Sequence, residues 1–422
     1  MRIVSVTDAG GVLANRVPPV SLEARAFAAG VVDDVAARGD AAVLELTLRF
    51  DGVRLDGMRV SEREFSEALE AVPVALLKAV RESCRNVTRF TQATMPKTRE
   101  LKSSSGLLAK RVVPLDCVGA YVPGGKAAYP SSVIMTAAVA KAAGVKRVVV
   151  CTPPGRDGRV NSLVLVACRE AGVDDVFKVG GSQAIAAMAV GTETILRVDK
   201  IVGPGNRFVS AAKAEVAARG LAAIDSPAGP SEVLVIAGDG ANARLAAMEL
   251  VVQAEHAQDS FCCAVCWSRK LALQITREVE TLAAKASRKD IVREPLSKGA
   301  VFIAAGESEA LSFANKLAVE HVRVLGSDVE RIAARVTNAG AVFVGDYSPV
   351  AAGDYAAGPS HVLPTGGAAR FYSGLGASSF VKEVSVIRLS KGGLAKLAGG
   401  AALLARAEGL DSHAESLEQA VE

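Results

Sequence analysis

The sequence predicts an α/β fold of parallel sheets with helices on both faces, and three observations carry that prediction. From about residue 110 onward, short Val/Ile-rich runs alternate with Ala-rich helical segments, the pattern of successive βαβ units. The apolar runs are continuous rather than alternating in and out, as a sheet covered on both faces requires. Half of the 422 residues are hydrophobic and only 4% are aromatic. The core must therefore be assembled from Ala, Val, Leu and Ile, small enough for helices to pack closely on buried strands.

The elements follow in order. The first hundred or so residues read as helical. Ser61 and Glu64 fit a capping box, with Val60 and Phe65 spaced as a hydrophobic staple, so a helix begins near residue 62. Pro73 opens another at its first turn. Strands are expected at Arg147–Cys151, Asp175–Val179, Lys200–Val202, Glu232–Ala237, Phe261–Trp267, Val301–Ala304, Val322–Leu325 and Ala341–Val344, with helices between nearly every pair. These strands suit one large sheet or two smaller ones. Asp225–Pro230 (DSPAGP) breaks the periodicity with two prolines and a glycine and is the expected crossing between lobes. Across 345–377 glycine, proline and tyrosine replace the βα pattern, and so long an irregular stretch in a compact protein is more often functional than idle. The last forty or so residues read as Ala/Leu-rich helix with a polar tail.

Composition excludes several function classes. The 49 basic and 45 acidic residues leave a net charge of +4 with no long basic run, so neither nucleic acid nor a membrane surface is implied as partner. No apolar run approaches the ~20 residues of a membrane span, and the opening MRIVSVTDAGG lacks the apolar stretch of a signal peptide. Seven cysteines, mostly inside apolar runs, read as reduced thiols of a cytoplasmic protein. Cys263 and Cys266 form a CxxC within FCCAVCW, but no second pair completes a tetrahedral site, so they read as core.

Only four histidines are present, and each has a polar partner nearby in sequence. Gln253 precedes His256 by three residues at a helix end, Glu320 adjoins His321, Asp354 lies seven before His361, and Glu408 lies five before His413. Gln253, His256, Asp354 and His413 would make a mixed N/O site suited to Zn²⁺, with Mn²⁺ or Co²⁺ as substitutes. Spacing alone does not bring them together. KVGGSQA (178–184) and IVGPGNRF (201–208) each follow a strand and open a helix, and VGAYVPGGKAAYPSS (118–132) is a longer loop of the same kind. Backbone amides at such helix N-termini hold a pyrophosphate, although a plain tight βα turn also requires glycine.

Taken together, VGAYVPGGKAAYPSSVIMTAAVAKAAGV, KVGGSQAIAAMAVGT, DKIVGPGN, GPSEVLVIA, QAEHAQDS, EHVRVL, GDYAAGPSHVLPT and EGLDSHA resemble the histidinol dehydrogenase family over essentially the whole chain. The resemblance implies two incomplete Rossmann-like domains with a small helical C-terminal extension. It divides the chain into an N-terminal arm (1–20), a first domain (21–118 with 231–375), a second, NAD-side domain (119–230) and the extension (376–422). It implies a homodimer in which that extension reaches the partner's active site. The implied reaction is oxidation of L-histidinol to L-histidine through an aldehyde, with two NAD⁺ reduced and one zinc per subunit. By motif, Gln253, His256, Asp354 and His413 are the implied zinc ligands, and Glu320 and His321 the acid/base pair. Ser231, Glu408 and His321 would touch the substrate along with the zinc ligands, Tyr121, Gln183 and Asn206 would line the NAD site, and His361 has a supporting role.

The chemistry agrees with these implied roles. A neutral imidazole takes the hydroxyl proton as hydride leaves, and a carboxylate beside it activates the water that adds to the aldehyde. Neighbouring residues in a regular strand face opposite ways, so Glu320 and His321 are expected at a loop or strand start. This chain departs from the usual family pattern at Ala257–Gln258–Asp259, at Val319 and at 366–370 (GGAAR), and its N-terminus is short. These positions surround the substrate. They keep open a related dehydrogenase of another small alcohol, such as a sulfonated diol, and more remotely a zinc hydrolase or a non-catalytic paralogue.

Overall fold

A computed structural model describes residues 1–16, 21–124, 128–227 and 229–422. Its strands, in chain order, are β1 (Arg2–Ser5), β2 (Arg99–Ser103), β3 (Gly106–Pro114), β4 (Cys117–Tyr121), β5 (Arg147–Thr152), β6 (Asp175–Lys178), β7 (Lys200–Val202), β8 (Ala223–Ile224), β9 (Glu232–Ala237), β10 (Phe261–Cys266), β11 (Ala300–Ile303), β12 (His321–Leu325), β13 (Ala341–Val344) and β14 (Val381–Leu389). They form two parallel sheets and one antiparallel ribbon. The six-stranded sheet runs β1-β11-β10-β9-β12-β13 and the five-stranded sheet β6-β5-β4-β7-β8. Leaving β1 aside, both follow one plan: the first three strands step outward one way and the next two the other, which is a Rossmann sheet lacking its last strand.

The continuous apolar runs are buried on both faces, as their lack of alternation requires. Every residue of β9 and β10 is buried. Cys263 and Cys266, three apart on β10, point to opposite faces and enter separate cores, and all seven cysteines are free. The expected strands are all present, with ends within one residue. The capping box is also present: Ser61 Oγ accepts from Glu64 N at 3.3 Å while Glu64 Oε2 accepts from Ser61 N at 2.9 Å, opening the helix Glu62–Ala71. Pro73 stands at the N-cap of the helix Val74–Ala93. The crossing 225–230 joins β8 of one sheet to β9 of the other, with Ala228 outside the described residues.

The structure corrects three expectations. The 1–20 segment is not simply an arm, because Arg2–Ser5 pairs in parallel with Ala300–Ile303 as an edge strand; residues 17–20 lie outside the described residues. The helices of 22–93 cover the five-stranded sheet rather than joining 231–375. Ala28, Val32 and Val43 pack with Ile185 and Val209, and Val80 and Val87 with Val118 and Val148. Nor is 376–422 wholly helical: β14 pairs antiparallel with all nine residues of β3 before the helices Lys391–Ala407 and Asp411–Gln419 begin. Which sheet the 22–93 helices cover is a matter of tertiary contact that local propensity does not encode.

Candidate active site

In each sheet the direction of strand addition reverses between two neighbours, and a crevice opens outside the carboxyl ends there. In the five-stranded sheet this point lies between β4 and β7. Tyr121 ends β4, 4% exposed, and its hydroxyl accepts from the Gly181 amide at 3.1 Å. Burial, partly offset by that bond, pushes its phenol up to about 12, so it stays a neutral hydroxyl. Gln183 lies in the first turn of the helix Gly181–Val190, with its buried Nε2 lacking a hydrogen-bond partner. Exposed Asn206 caps the helix Arg207–Ala218, accepting from Phe208 N at 3.0 Å and Val209 N at 3.1 Å. The three residues expected to line the coenzyme site thus share one edge of one sheet. The middle of the 118–132 loop, residues 125–127, lies outside the described residues.

The six-stranded sheet closes the equivalent crevice. Gly238 N donates to Leu325 O and Ser327 N to Asp239 O, each at 2.8 Å, and a Cβ on Gly238 would come within 3.2 Å of the Trp267 ring. The polar cluster of this half gathers at the opposite, amino ends of β9 and β12. Glu320 immediately precedes β12 and His321 begins it, the strand start that lets adjacent side chains serve one site. Glu320 Oε2 accepts from the Glu232 amide at 2.8 Å, and His321 Nδ1 lies 3.0 Å from the Glu232 carbonyl oxygen. Glu320 Oε2 and His321 Nδ1 are 3.4 Å apart. His321 Nε2 is buried and has no partner.

Two helices bring the remaining groups. Ala243–Ala254 carries buried Gln253, whose Nε2 also lacks a partner, and His256 follows its end with an open face to solvent. Val350–Tyr355 carries Asp354, whose carbonyl lies 2.9 Å from His361 Nδ1. The irregular 345–377 stretch then docks on the other half. Asn86 Nδ2 donates to Ala356 O at 3.0 Å, Ser360 Oγ to Met135 O at 2.7 Å, and Gly229 N to Thr365 Oγ1 at 2.6 Å. Ser231, half-buried, directly precedes β9.

Burial dominates the electrostatics. It lowers His321 to about 3, against the Glu232 bond and with help from nearby His256 and His361, and it lowers His361 to about 4. Burial and Arg288 lower His256. Burial also raises Glu320 well above the carboxylate range, with the Glu232 and Asp354 charges adding to the rise. It raises Asp354 to about 6, with the Glu249 charge adding. Neutral imidazoles beside carboxyls of raised proton affinity are groups suited to proton transfer.

Two expected site residues are not brought here. Glu408 and His413 are exposed on the C-terminal helices, and no hydrogen bond or ion pair among the described residues joins them to the cluster. Accordingly, no group of three His, Cys, Asp or Glu side chains able to hold a metal occurs among the described residues. The cluster itself offers only His256, Asp354 and the amide of Gln253. Still, an imidazole, a carboxylate and an amide carbonyl oxygen are donors that suit zinc, while Gln253 Nε2, an N–H donor that cannot itself ligate a metal, is buried without a partner. Sequence reasoning missed Glu232, whose backbone holds both Glu320 and His321. Its signal was one acidic residue at the head of the apolar run EVLVIA.

The family model described as histidinol dehydrogenase matches residues 19–420. A histidinol dehydrogenase of Methanosarcina mazei is 47% identical over 390 residues, 92% of this chain and 89% of that protein. One from Xanthomonas campestris is 44% identical over 406 residues, 96% of this chain and 94% of that protein. The crystal structure of histidinol dehydrogenase from Elizabethkingia anophelis superposes with a TM-score of 0.95 at 33% identity, covering 100% of this chain and 98% of that one.

Proposed function

The chain belongs to the histidinol dehydrogenase family of NAD-dependent oxidoreductases, and from that premise we propose that it oxidises L-histidinol to L-histidine through bound L-histidinaldehyde, the last step of histidine biosynthesis. The observation that carries the mechanism is the pairing of His321 Nδ1 with the Glu232 carbonyl. A carbonyl only accepts, so the ring proton sits on Nδ1, and the unpartnered Nε2 presents its lone pair. His321 Nε2 takes the hydroxyl proton as hydride leaves the carbinol carbon. Glu320 then takes a proton from the water adding to the aldehyde. Oε1 is the accepting atom, since Oε2 is engaged by the Glu232 amide. Its raised proton affinity makes Glu320 a stronger base than an ordinary carboxylate.

Gln253, His256 and Asp354, with His413 of the partner subunit, would hold one zinc; Tyr121, Gln183 and Asn206 would line the NAD site. When bound, zinc supplies a Lewis-acid anchor for the substrate's amine and imidazole, and NAD⁺ the hydride acceptor. Ser231 and Glu408 would orient the substrate. Keeping both oxidations in one site shields a reactive amino aldehyde from water.

A homodimer with shared sites completes the set. Its support is the exposure of Glu408 and His413 on a segment that also leaves Ile387, Leu403 and Leu404 about 70% exposed (70%, 71% and 68%), apolar surface that a partner would cover. Among the described residues no helix is long and apolar enough to cross a membrane, and seven free cysteines support a reducing, cytoplasmic setting. The family match and the relatives favour histidinol over a sulfonated diol.

The test is NADH formation from L-histidinol before and after chelation, with zinc added back. Two NADH per histidinol, lost on chelation and restored by zinc, is the expected result. Folded, zinc-loaded dimer that forms no NADH would overturn the reading.

A further inference from the structure

Glu232 has a second set of contacts. Its carboxylate is gripped by Arg16 in a two-pronged ion pair, Nε to Oε1 at 2.5 Å and Nη2 to Oε2 at 2.6 Å, with the Glu232 side chain 3% exposed. The remaining arm of the guanidinium, Nη1, donates to Leu317 O at 2.8 Å, three residues before Glu320. The Arg16 guanidinium also lies 5.7 Å from the centre of the Phe261 ring on the neighbouring strand. Arg16 thus touches β9, β10 and the segment leading into β12 at the edge where Glu320 and His321 sit. It precedes the residues that the family match covers, 19–420, so nothing in that match assigns it a role.

We infer that Arg16 is a positioning residue: by clamping the Glu232 carboxylate it fixes the one residue whose N–H holds Glu320 and whose C=O holds His321. This rests on the acid/base roles proposed above. The reasoning is geometric. Glu232 is the first residue of β9, preceded by the irregular 226–231 crossing, so the sheet anchors it from one side only. Its backbone polar groups are committed to Glu320 and His321. What holds the residue on the unanchored side is the side chain, and a planar guanidinium binding both carboxylate oxygens fixes its rotation as well as its place. Without Arg16, a buried carboxylate is left unpaired and must seek another cation or a proton. Either movement turns the strand head and carries Glu320 and His321 with it. A shift of about 1 Å in such groups is enough to cost about 10²-fold in rate.

The experiment uses the full-length, zinc-loaded protein with Arg16→Met, Arg16→Lys and Glu232→Gln. Measured are the rates from histidinol and from histidinaldehyde, KM, zinc content, Tm, and exchange of the His321 Nδ1 proton by imidazole ¹⁵N NMR. Arg16→Met is expected to lower kcat of both half-reactions about 10²-fold, with KM within about threefold and zinc retained. Lysine restores part of the loss. The Nδ1 proton exchanges at least about tenfold faster, because its acceptor is no longer held. Wild-type kcat and wild-type exchange in Arg16→Met, with only Tm lowered, would overturn the inference. If Arg16→Met does not fold, Arg16→Lys and Glu232→Gln decide it in the same way: wild-type kcat and exchange in both overturn it. A wild-type protein inactive on histidinol defeats the underlying functional reading instead, and the NMR exchange still reports whether Arg16 holds the Glu232–His321 bond.

Discussion

His321 Nδ1 lies 3.0 Å from the carbonyl oxygen of Glu232, and this contact leaves Nε2 as the ring nitrogen able to serve as the proposed base. With the proton held on Nδ1, Nε2 is free for the substrate hydroxyl. His321→Ala is therefore expected to slow histidinol oxidation by about 10²–10⁴-fold while zinc content stays at one per subunit. Single-turnover kinetics with metal analysis checks this, and activity within tenfold of wild type would contradict the assignment.

Glu320 is expected to matter most in the second half-reaction. Glu320→Gln keeps a group able to accept from the Glu232 amide but cannot take a proton from water. Oxidation of histidinaldehyde should fall by about 10²-fold or more, with histidinol oxidation to the aldehyde less affected. Equal losses in both steps would instead make Glu320 a general support of His321.

The proposed sharing of sites between subunits predicts complementation between inactive variants. His321→Ala and His413→Ala are each expected to be inactive alone. When mixed and allowed to exchange subunits, half of the dimers carry one intact site each, giving about a quarter of wild-type activity. Mixtures no more active than their components would place His413 outside the partner's site.

Burial of neutral His321 predicts a pH-dependent stability in the metal-free protein. Its pKa is lowered to about 3 in the fold, against ~6.5 in the unfolded chain. Between those values the unfolded state binds the extra proton, so stability rises with pH there and is lost on acidification below ~6.5. His321→Gln should flatten that slope by up to about 1.4 kcal/mol per pH unit. Urea unfolding at several pH values measures it, and an unchanged slope would show that His321 is not buried as a neutral ring.

The loop that follows β7 has its own buried anchor. Lys213, fully buried, pairs with Asp225 and donates to Gly203 O at 2.9 Å, while Asp225 Oδ2 accepts from Gly203 N at 2.8 Å. Lys213→Met leaves an unpaired buried carboxylate and is expected to destabilise the protein by about 3–5 kcal/mol. Adding Asp225→Leu should recover part of that loss. Chemical unfolding of the single and double variants checks both, and a double variant no more stable than Lys213→Met would refute the charge-based account.

By itself, the sequence determined the elements and the candidate chemistry. The continuous apolar runs of β9 to β13, the capping box of Ser61 and Glu64, and the scarce histidines beside polar partners are local signals, and local signals survive in a linear chain. It also named Gln253, His256, Glu320, His321, Asp354 and His361, but not Glu232 or Arg16. What only the tertiary structure decided is where surfaces meet. It chose the sheet that the 22–93 helices cover, made Arg2–Ser5 an edge strand, and closed one of two equivalent crevices with Trp267 and Ser327. It also brought Arg16 to Glu232 across 216 residues. The physical reason is that helix and strand propensities act over a few residues. Burial, ion pairing and the holding of His321 by a remote peptide are properties of contacts between segments that share no sequence signal.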